Sequence, residues 1–288
     1  MAPQQIIMAA EAGDTRTVEE WLDAGGDVNA SENTGRTLLL AAVANSQVEL
    51  CRTLLARGAD PSLHRANETP LWLAAYEAYG GLQFGYYTGE RARPAIDSPS
   101  INICQMLVES GADLNARELL NFGREYPYGS VLTVQATLLA RVLFFFRSGD
   151  SLMRLNLASM LLRAGAHLES IVEEVADSDK THSASWCLAQ ALLKRPELGR
   201  DEYFIKAQTL VAGVTEAGSY KKWVRRPHRS VLHLRSLVAR GRARLACAPR
   251  RRLRCYGAAR QDYAIEFLVK LGDNGIVWNI LSFWKETN

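Results

Sequence analysis

No run of 20 apolar residues occurs in this chain of 288 residues. The most apolar stretch, VLTVQATLLARVLFFF at 131–146, is sixteen residues long and interrupted by Gln135 and Arg141. A membrane-spanning helix needs roughly 20 apolar residues with few charges, so no membrane role is expected. Met1 is followed by Ala, Pro and two Gln, without the basic and then apolar run of a secretory signal. No Gly-rich phosphate loop, H-E-x-x-H or G-x-S-x-G is present. The five histidines, His64, His167, His182, His228 and His233, are scattered. His228 and His233 with Cys247 and Cys255 are spaced too widely for the close pairs that chelate zinc well. Glu19-Glu20 and Glu173-Glu174 are adjacent pairs, which face different directions on a helix. These absences predict no enzyme activity, no cofactor and no metal. Five cysteines, an odd number without a disulfide framework, point to a reducing intracellular compartment, cytoplasmic or nuclear.

Acid is missing from one region. Between Ala217 and Gln261 there is no Asp or Glu, while Lys221, Lys222 and twelve arginines fall there. The remainder holds 20 basic and 31 acidic residues, so a net charge of +3 conceals an acidic body joined to a basic segment.

The recurring pattern is a tail. WLDAGGDVNA at 21–30 returns as LLARGADPSL at 54–63, LVESGADLNA at 107–116 and LLRAGAHLES at 161–170. A head accompanies it. TPLWLAA at 69–75 is the clearest copy and TLLLAAV at 37–43 the next, with QQIIMAA at 4–10 and SVLTVQA at 130–136 as weaker ones. Gly25 and Gly58 are 33 residues apart, and the heads at Gln4, Thr37 and Thr69 are 33 and 32 apart. The residue types make physical sense. Pro70 suits the first helical position, where its missing N–H is not needed. Ala74 and Ala75 are small enough for close helix packing. Val48, Cys51, Leu54 and Leu55 recur at helical spacing. Gly58 supplies the left-handed residue that closes a helix, and Asp60-Pro61 begins an extended finger.

Period, T-P-L-x-L-A-A head and G-A-D-x-N tail together resemble the ankyrin repeat over residues 1–170. The resemblance implies an all-α fold: a helix-turn-helix solenoid with short β-hairpin fingers, four or five repeats and a helical C-terminal cap. It also implies a non-enzymatic scaffold that binds a protein partner through finger tips and the inner helix face. On this chain those positions are Ser31, Glu32 and Asn33, then Arg65, Ala66 and Asn67, then Arg117 and Glu118. Trp72 stands where the family usually has histidine, with Tyr76 one turn on. Two readings of Trp72 are open: a binding hot spot, or a filler beside a large insert.

That insert, about 79–100, makes the third repeat about 21 residues longer than the first, and the fourth is about 14 longer. Its four glycines and two prolines predict a loop. Tyr86 and Tyr87 within it suit either partner contact or packing on the neighbouring repeat. The apolar stretch 131–146 is expected to be a lengthened first helix of the fourth repeat.

Beyond Ser170 the pattern fades. Residues 171–198 are expected to be helical, a degenerate repeat or cap, and 199–288 a basic helical segment with helices over 203–217 and 229–240. LGDNGIVWNILSFW at 271–284 resembles the opening helix of an F-box through Leu271, Asp273, Ile280, Leu281, Ser282 and Phe283. SVLHLRSLVARGRARL resembles the first helix of a SOCS box. These imply a ubiquitin-ligase substrate adaptor as an alternative. Arg250, Arg251, Arg252 and Arg254 suit a polyanion or a nuclear import signal, a second alternative. Specific nucleic-acid recognition needs a reading module, and the sequence contains none.

Overall fold

The computed structural model of the chain describes residues 2–65, 68–78, 99–121, 133–175 and 178–226, with His233 and Ser236. Ala66, Asn67, Tyr86, Tyr87, the arginines at 250–254 and, apart from His233 and Ser236, the adaptor-like helices lie outside the described residues. Contacts group the chain into two compact units, Met1–Thr215 and Glu216–Asn288.

The first unit is built from helix pairs: α1 (Gln4–Ala12) with α2 (Thr15–Asp23), α3 (Leu38–Ala44) with α4 (Val48–Ala56), and α5 (Pro70–Ala78) with α6 (Pro99–Glu109). The strands β1 (Arg117–Asn121) and β2 (Thr133–Thr137) then precede α7 (Leu138–Phe144) and α8 (Ser151–Ala164). The strands β3 (Glu169–Val175) and β4 (Ser178–Ser183) lead into α9 (Ala184–Lys194), a short 3-10 turn (Pro196–Arg200) and α10 (Glu202–Ala217). First helices stack on first helices, α1 on α3, α3 on α5 and α7 on α9. Second helices do the same, α2 on α4, α4 on α6 and α6 on α8. This is a helical repeat solenoid, in which each unit's apolar face is covered by its neighbours.

Side-chain chemistry repeats with the helices. A hydroxyl caps every head after the first, which begins at Pro3 without a side-chain cap: Thr37 accepts from Leu40 N–H at 3.2 Å, Thr69 from Trp72 N–H at 3.3 Å, Thr137 from Ala140 N–H at 3.4 Å and Ser183 from Trp186 N–H at 3.3 Å. The cap satisfies a backbone donor that has no partner inside the helix. Each tail closes on a glycine with positive φ, 93° at Gly25, 88° at Gly58, 87° at Gly111 and 106° at Gly165. Asp27, Asp60 and Asp113 then fold the chain back by accepting from the N–H two residues on, at 3.0, 2.8 and 2.9 Å. The asparagine of the tail reaches across units. Asn29 Oδ1 accepts from Asp60 N–H and Asn115 Oδ1 from His167 N–H, both at 2.8 Å.

Three expectations are corrected. First, the helical solenoid is as expected but its later fingers are not short hairpins, because β1 to β4 form one antiparallel four-stranded sheet in that order. Arg117 pairs with Thr137, Gln135 with Val172, and Val172 with Thr181. Second, 131–146 is not one lengthened helix. Residues 133–137 are β2, and the helix begins at Leu138 because Thr137 spends its side chain on the cap. The fourth head is therefore TLLARVL at 137–143, not the weak copy at 130–136. Thr137 to Gly165 is 28 residues against 21 from Thr37 to Gly58, so half of the apparent insertion belongs to the finger. The other half lengthens α8 to 14 residues, against 9 in α4, and its connector. Third, 171–175 and 178–183 are strands, not helix. Ile171, Val172 and Val175 are β-branched and suit the pleated backbone of β3. Helix resumes at Ala184, and α10 matches the helix read over 203–217.

The core follows the stacking axis, with Leu38, Leu39, Leu40, Leu71, Leu139, Leu143, Phe144 and Phe204 all within 2% exposed. Phe146 meets Phe204 edge-on at 5.2 Å, fixing α10 at the end of the unit. Cys51, Cys104 and Cys187 are buried and free, and burial pushes each thiol up to about 12. They are small core residues, not nucleophiles. In the second unit Arg226 closes on Glu216 through two N–H···O contacts of 2.7 and 2.6 Å. Among the described residues no helix is long and apolar enough to cross a membrane, and no group of three or more His, Cys, Asp or Glu is placed to hold a metal.

Candidate partner-binding surface

The first finger is a tight reversal. Ser31 bridges Thr37, Glu32 N–H donates to Arg36 C=O at 3.0 Å, and Gly35 N–H donates to Glu32 C=O at 2.9 Å. Its tip presents Asn33, which is exposed, beside half-buried Ser31 and Glu32. Arg36 pairs with Glu11 of α1, anchoring the base of the finger to the inner helix. The second finger closes with Arg65 and Glu68 exchanging backbone hydrogen bonds at 3.2 and 2.9 Å. Arg65 is exposed there, and Arg117 is exposed at the start of the third finger. Neither makes an ion pair among the described residues.

Glu118 behaves differently from the surface residue expected of it. It is only 6% exposed, and one carboxylate oxygen accepts from Thr69 N–H at 2.7 Å and from Thr69 Oγ1 at 2.9 Å. Burial pushes its carboxyl up to about 8, partly opposed by the Thr69 hydrogen bonds and the charge of Arg141. Glu118 therefore ties the third finger to the start of α5 and is buried there rather than presented to solvent. Pairing it with Thr69 requires the β1 backbone, which a reading of finger positions alone could not supply.

Trp72 is also buried, at 5% exposed, which favours the filler over the free hot spot. It does not fill space passively. The guanidinium of Arg141, from α7, lies 4.6 Å from the centre of the Trp72 ring and 5.3 Å from that of Tyr76. Tyr76 and Arg141 are half-buried, so this cluster reaches the surface of the inner helices. Burial raises the Tyr76 phenol, and the Arg141 charge opposes that shift. Among the described residues Trp72 Nε1 is buried with no hydrogen-bond acceptor. Arg141 was visible in the sequence only as an interruption of an apolar run. Placing the fourth head at Thr137 would have found it, since Arg141 then aligns with Ala41 and Leu73 on inner helices.

The structure thus brings Trp72, Tyr76, Glu118 and Arg141 together where α5, α7 and the third finger meet. It leaves Ser31, Glu32, Asn33, Arg65 and Arg117 distributed along the fingers. Residues 6–84 match the family model described as ankyrin repeats, three copies. Within residues 6–84 the chain carries ankyrin repeats. Ankyrin repeats are generally protein–protein interaction modules and are typically non-catalytic. A stretch of 68 residues is 40% identical to an L-asparaginase of Dirofilaria immitis, covering 23% of this chain and 12% of that protein. The chain spans only that small part of the asparaginase's length, so the likeness carries no activity across.

Proposed function

We propose that the chain is a non-enzymatic scaffold whose fingers and inner-helix face bind a protein partner. The observation that carries this reading is the contrast between a frame held by repeated caps and tails and the exposed Asn33, Arg65 and Arg117 projecting from it. A rigid frame lowers the entropic cost of presenting such side chains. Ser31 and Glu32 extend the surface at the first finger, and Tyr76 with Arg141 extends it onto the inner helices.

The ankyrin array is read as five repeats. The Ser183 cap, Trp186 three residues later and the α9–α10 succession support a fifth, degenerate unit that follows residue 170 and closes the array. Free, buried Cys51, Cys104 and Cys187 support a reducing, intracellular setting.

Affinity purification of the full chain from its source cell, beside an Arg65→Glu/Arg117→Glu double variant, tests the reading. A partner recovered with the wild type and lost with the variant is expected. A partner recovered equally with both would show that the fingers are not the reader.

A further inference from the structure

The turns Asp27–Asn29, Asp60–Ser62 and Asp113–Asn115 are built alike, each aspartate accepting from the N–H two residues on. The last residue of each turn therefore holds the same place on its tail. In the first tail it is Asn29, whose carboxamide oxygen accepts from Asp60 N–H of the next tail at 2.8 Å. In the third it is Asn115, which does the same for His167 N–H at 2.8 Å. In the second tail it is Ser62. A serine hydroxyl ends a bond short of an asparagine oxygen. The donor it would have to meet, Asp113 N–H, has no acceptor among the described residues. The junction that lacks the carboxamide holds a cavity of about 210 Å³. Ser62, His64 and Asp113 line it together with Leu71, Ala112 and Pro61. Leu71 and Ala112 are buried, whereas Ser62, His64 and Asp113 are exposed, so the cavity opens to solvent.

We propose that this cavity between the second and third tails receives a carboxamide side chain, asparagine or glutamine, from a protein partner. The partner then supplies from outside the group that the chain supplies itself at Asn29 and Asn115. The amide oxygen accepts from Asp113 N–H, while the amide –NH2 finds acceptors in Ser62 Oγ and the Asp113 carboxylate. Leu71 and Pro61 offer apolar surface to the methylene stem. Other side chains match less well. A carboxylate brings like charge to Asp113, an ammonium cannot accept from the N–H, and an aliphatic chain leaves that donor unmet. A short hydroxyl is what Ser62 already provides. The proposal rests on the scaffold reading in taking the amide from a protein, and adds a site of its own to the finger residues.

The test follows the Asp113 amide signal of the full chain, isotope-labelled and assigned through the backbone. Three peptides, acetyl-Gly-X-Gly N-methylamide with X as Gln, Glu or norleucine, are titrated to the limit of solubility. The blocking groups contain no primary amide. The Gln peptide is expected to move the signal, and the Glu and norleucine peptides to leave it in place. Ser62→Asn places a carboxamide at the junction from within. It should slow hydrogen exchange at Asp113 N–H about tenfold, the worth of one hydrogen bond, and abolish the response to the Gln peptide. No movement with the Gln peptide, or equal movement with all three, overturns the proposal. So does a Gln response that persists in Ser62→Asn, or exchange that Ser62→Asn leaves unchanged. If that variant does not fold, the contrast among the peptides on the wild type decides. The scaffold reading fails separately, through the purification with the finger variants. A partner captured equally by the wild type and Ser62→Asn would remove the amide site and leave the scaffold standing.

Discussion

Between α2 and α3 the chain crosses by a finger closed at the Ser31–Thr37 bridge, while between α6 and α7 it runs out and back as β1 and β2. The strand β2 then pairs with β3, so the third and fourth fingers share one sheet. On both sides of this change the heads carry the same hydroxyl cap and the tails the same left-handed glycine. Capping and closing chemistry therefore sets the repeat, while finger length is free to vary. A long finger is tolerated where its backbone groups find partners in a neighbouring strand. The regular half is held mainly by helix stacking, and the later half by stacking plus a ladder of strand hydrogen bonds.

Removing a core side chain is the strongest way to compare the halves. Leu40→Ala should cost about 2–5 kcal/mol and Phe144→Ala about 3–5 kcal/mol, through lost burial and the cavity left behind. Urea unfolding followed by circular dichroism checks this. If the sheet couples the later units tightly, Phe144→Ala should keep a single transition, and a split transition would show that the halves unfold separately.

Glu118 joins the two halves, from β1 to Thr69 at the start of α5. Glu118→Ala removes the acceptor of two Thr69 hydrogen bonds and should cost about 1–3 kcal/mol. Its pH dependence has a definite sign. The folded carboxyl titrates at about 8, above the ordinary value of roughly 4.3 in the unfolded chain. The folded state thus holds the proton more tightly, and this contribution to stability is full below the unfolded value and lost as pH rises through about 8. Thermal melts from pH 5 to pH 9 should show the wild type losing stability relative to Glu118→Gln, and parallel profiles would contradict a raised carboxyl.

The tail glycines should not distinguish the halves. Gly58 and Gly165 both have positive φ with nothing within 4 Å of an added Cβ, so alanine strains the backbone without a clash. Each substitution should cost roughly 1–2 kcal/mol in denaturant melts. Smallest are the links between tails, where Asn29→Ala and Asn115→Ala should each cost roughly 0.5–1.5 kcal/mol. A markedly larger loss for Asn115 would mean that the later tails lean more heavily on that bond, which hydrogen exchange at His167 N–H would report.

Much of the frame was legible because it is local. Thr37, Pro70, Gly58 and Asp60 act on atoms within a few residues of themselves, so their spacing announces the helix, its cap and its turn. The strands were not legible, because Gln135 pairs with Val172 across a whole helix pair and nothing near either residue signals the other. The surface was read in part. Asn33, Arg65 and Arg117 are exposed as expected, whereas Trp72 and Glu118 are buried by partners that come from other units.

The sequence by itself determined the repeating unit: helix heads with a hydroxyl cap, tails with glycine and aspartate, and the period that stacks them. Those are contacts of short range, written in the order of residues. Only the tertiary structure decided that two fingers merge into one sheet, that Glu118 turns inward to Thr69, and that Arg141 settles on Trp72 and Tyr76. Each of these joins residues of different repeats, and their meeting depends on how one unit lies upon the next.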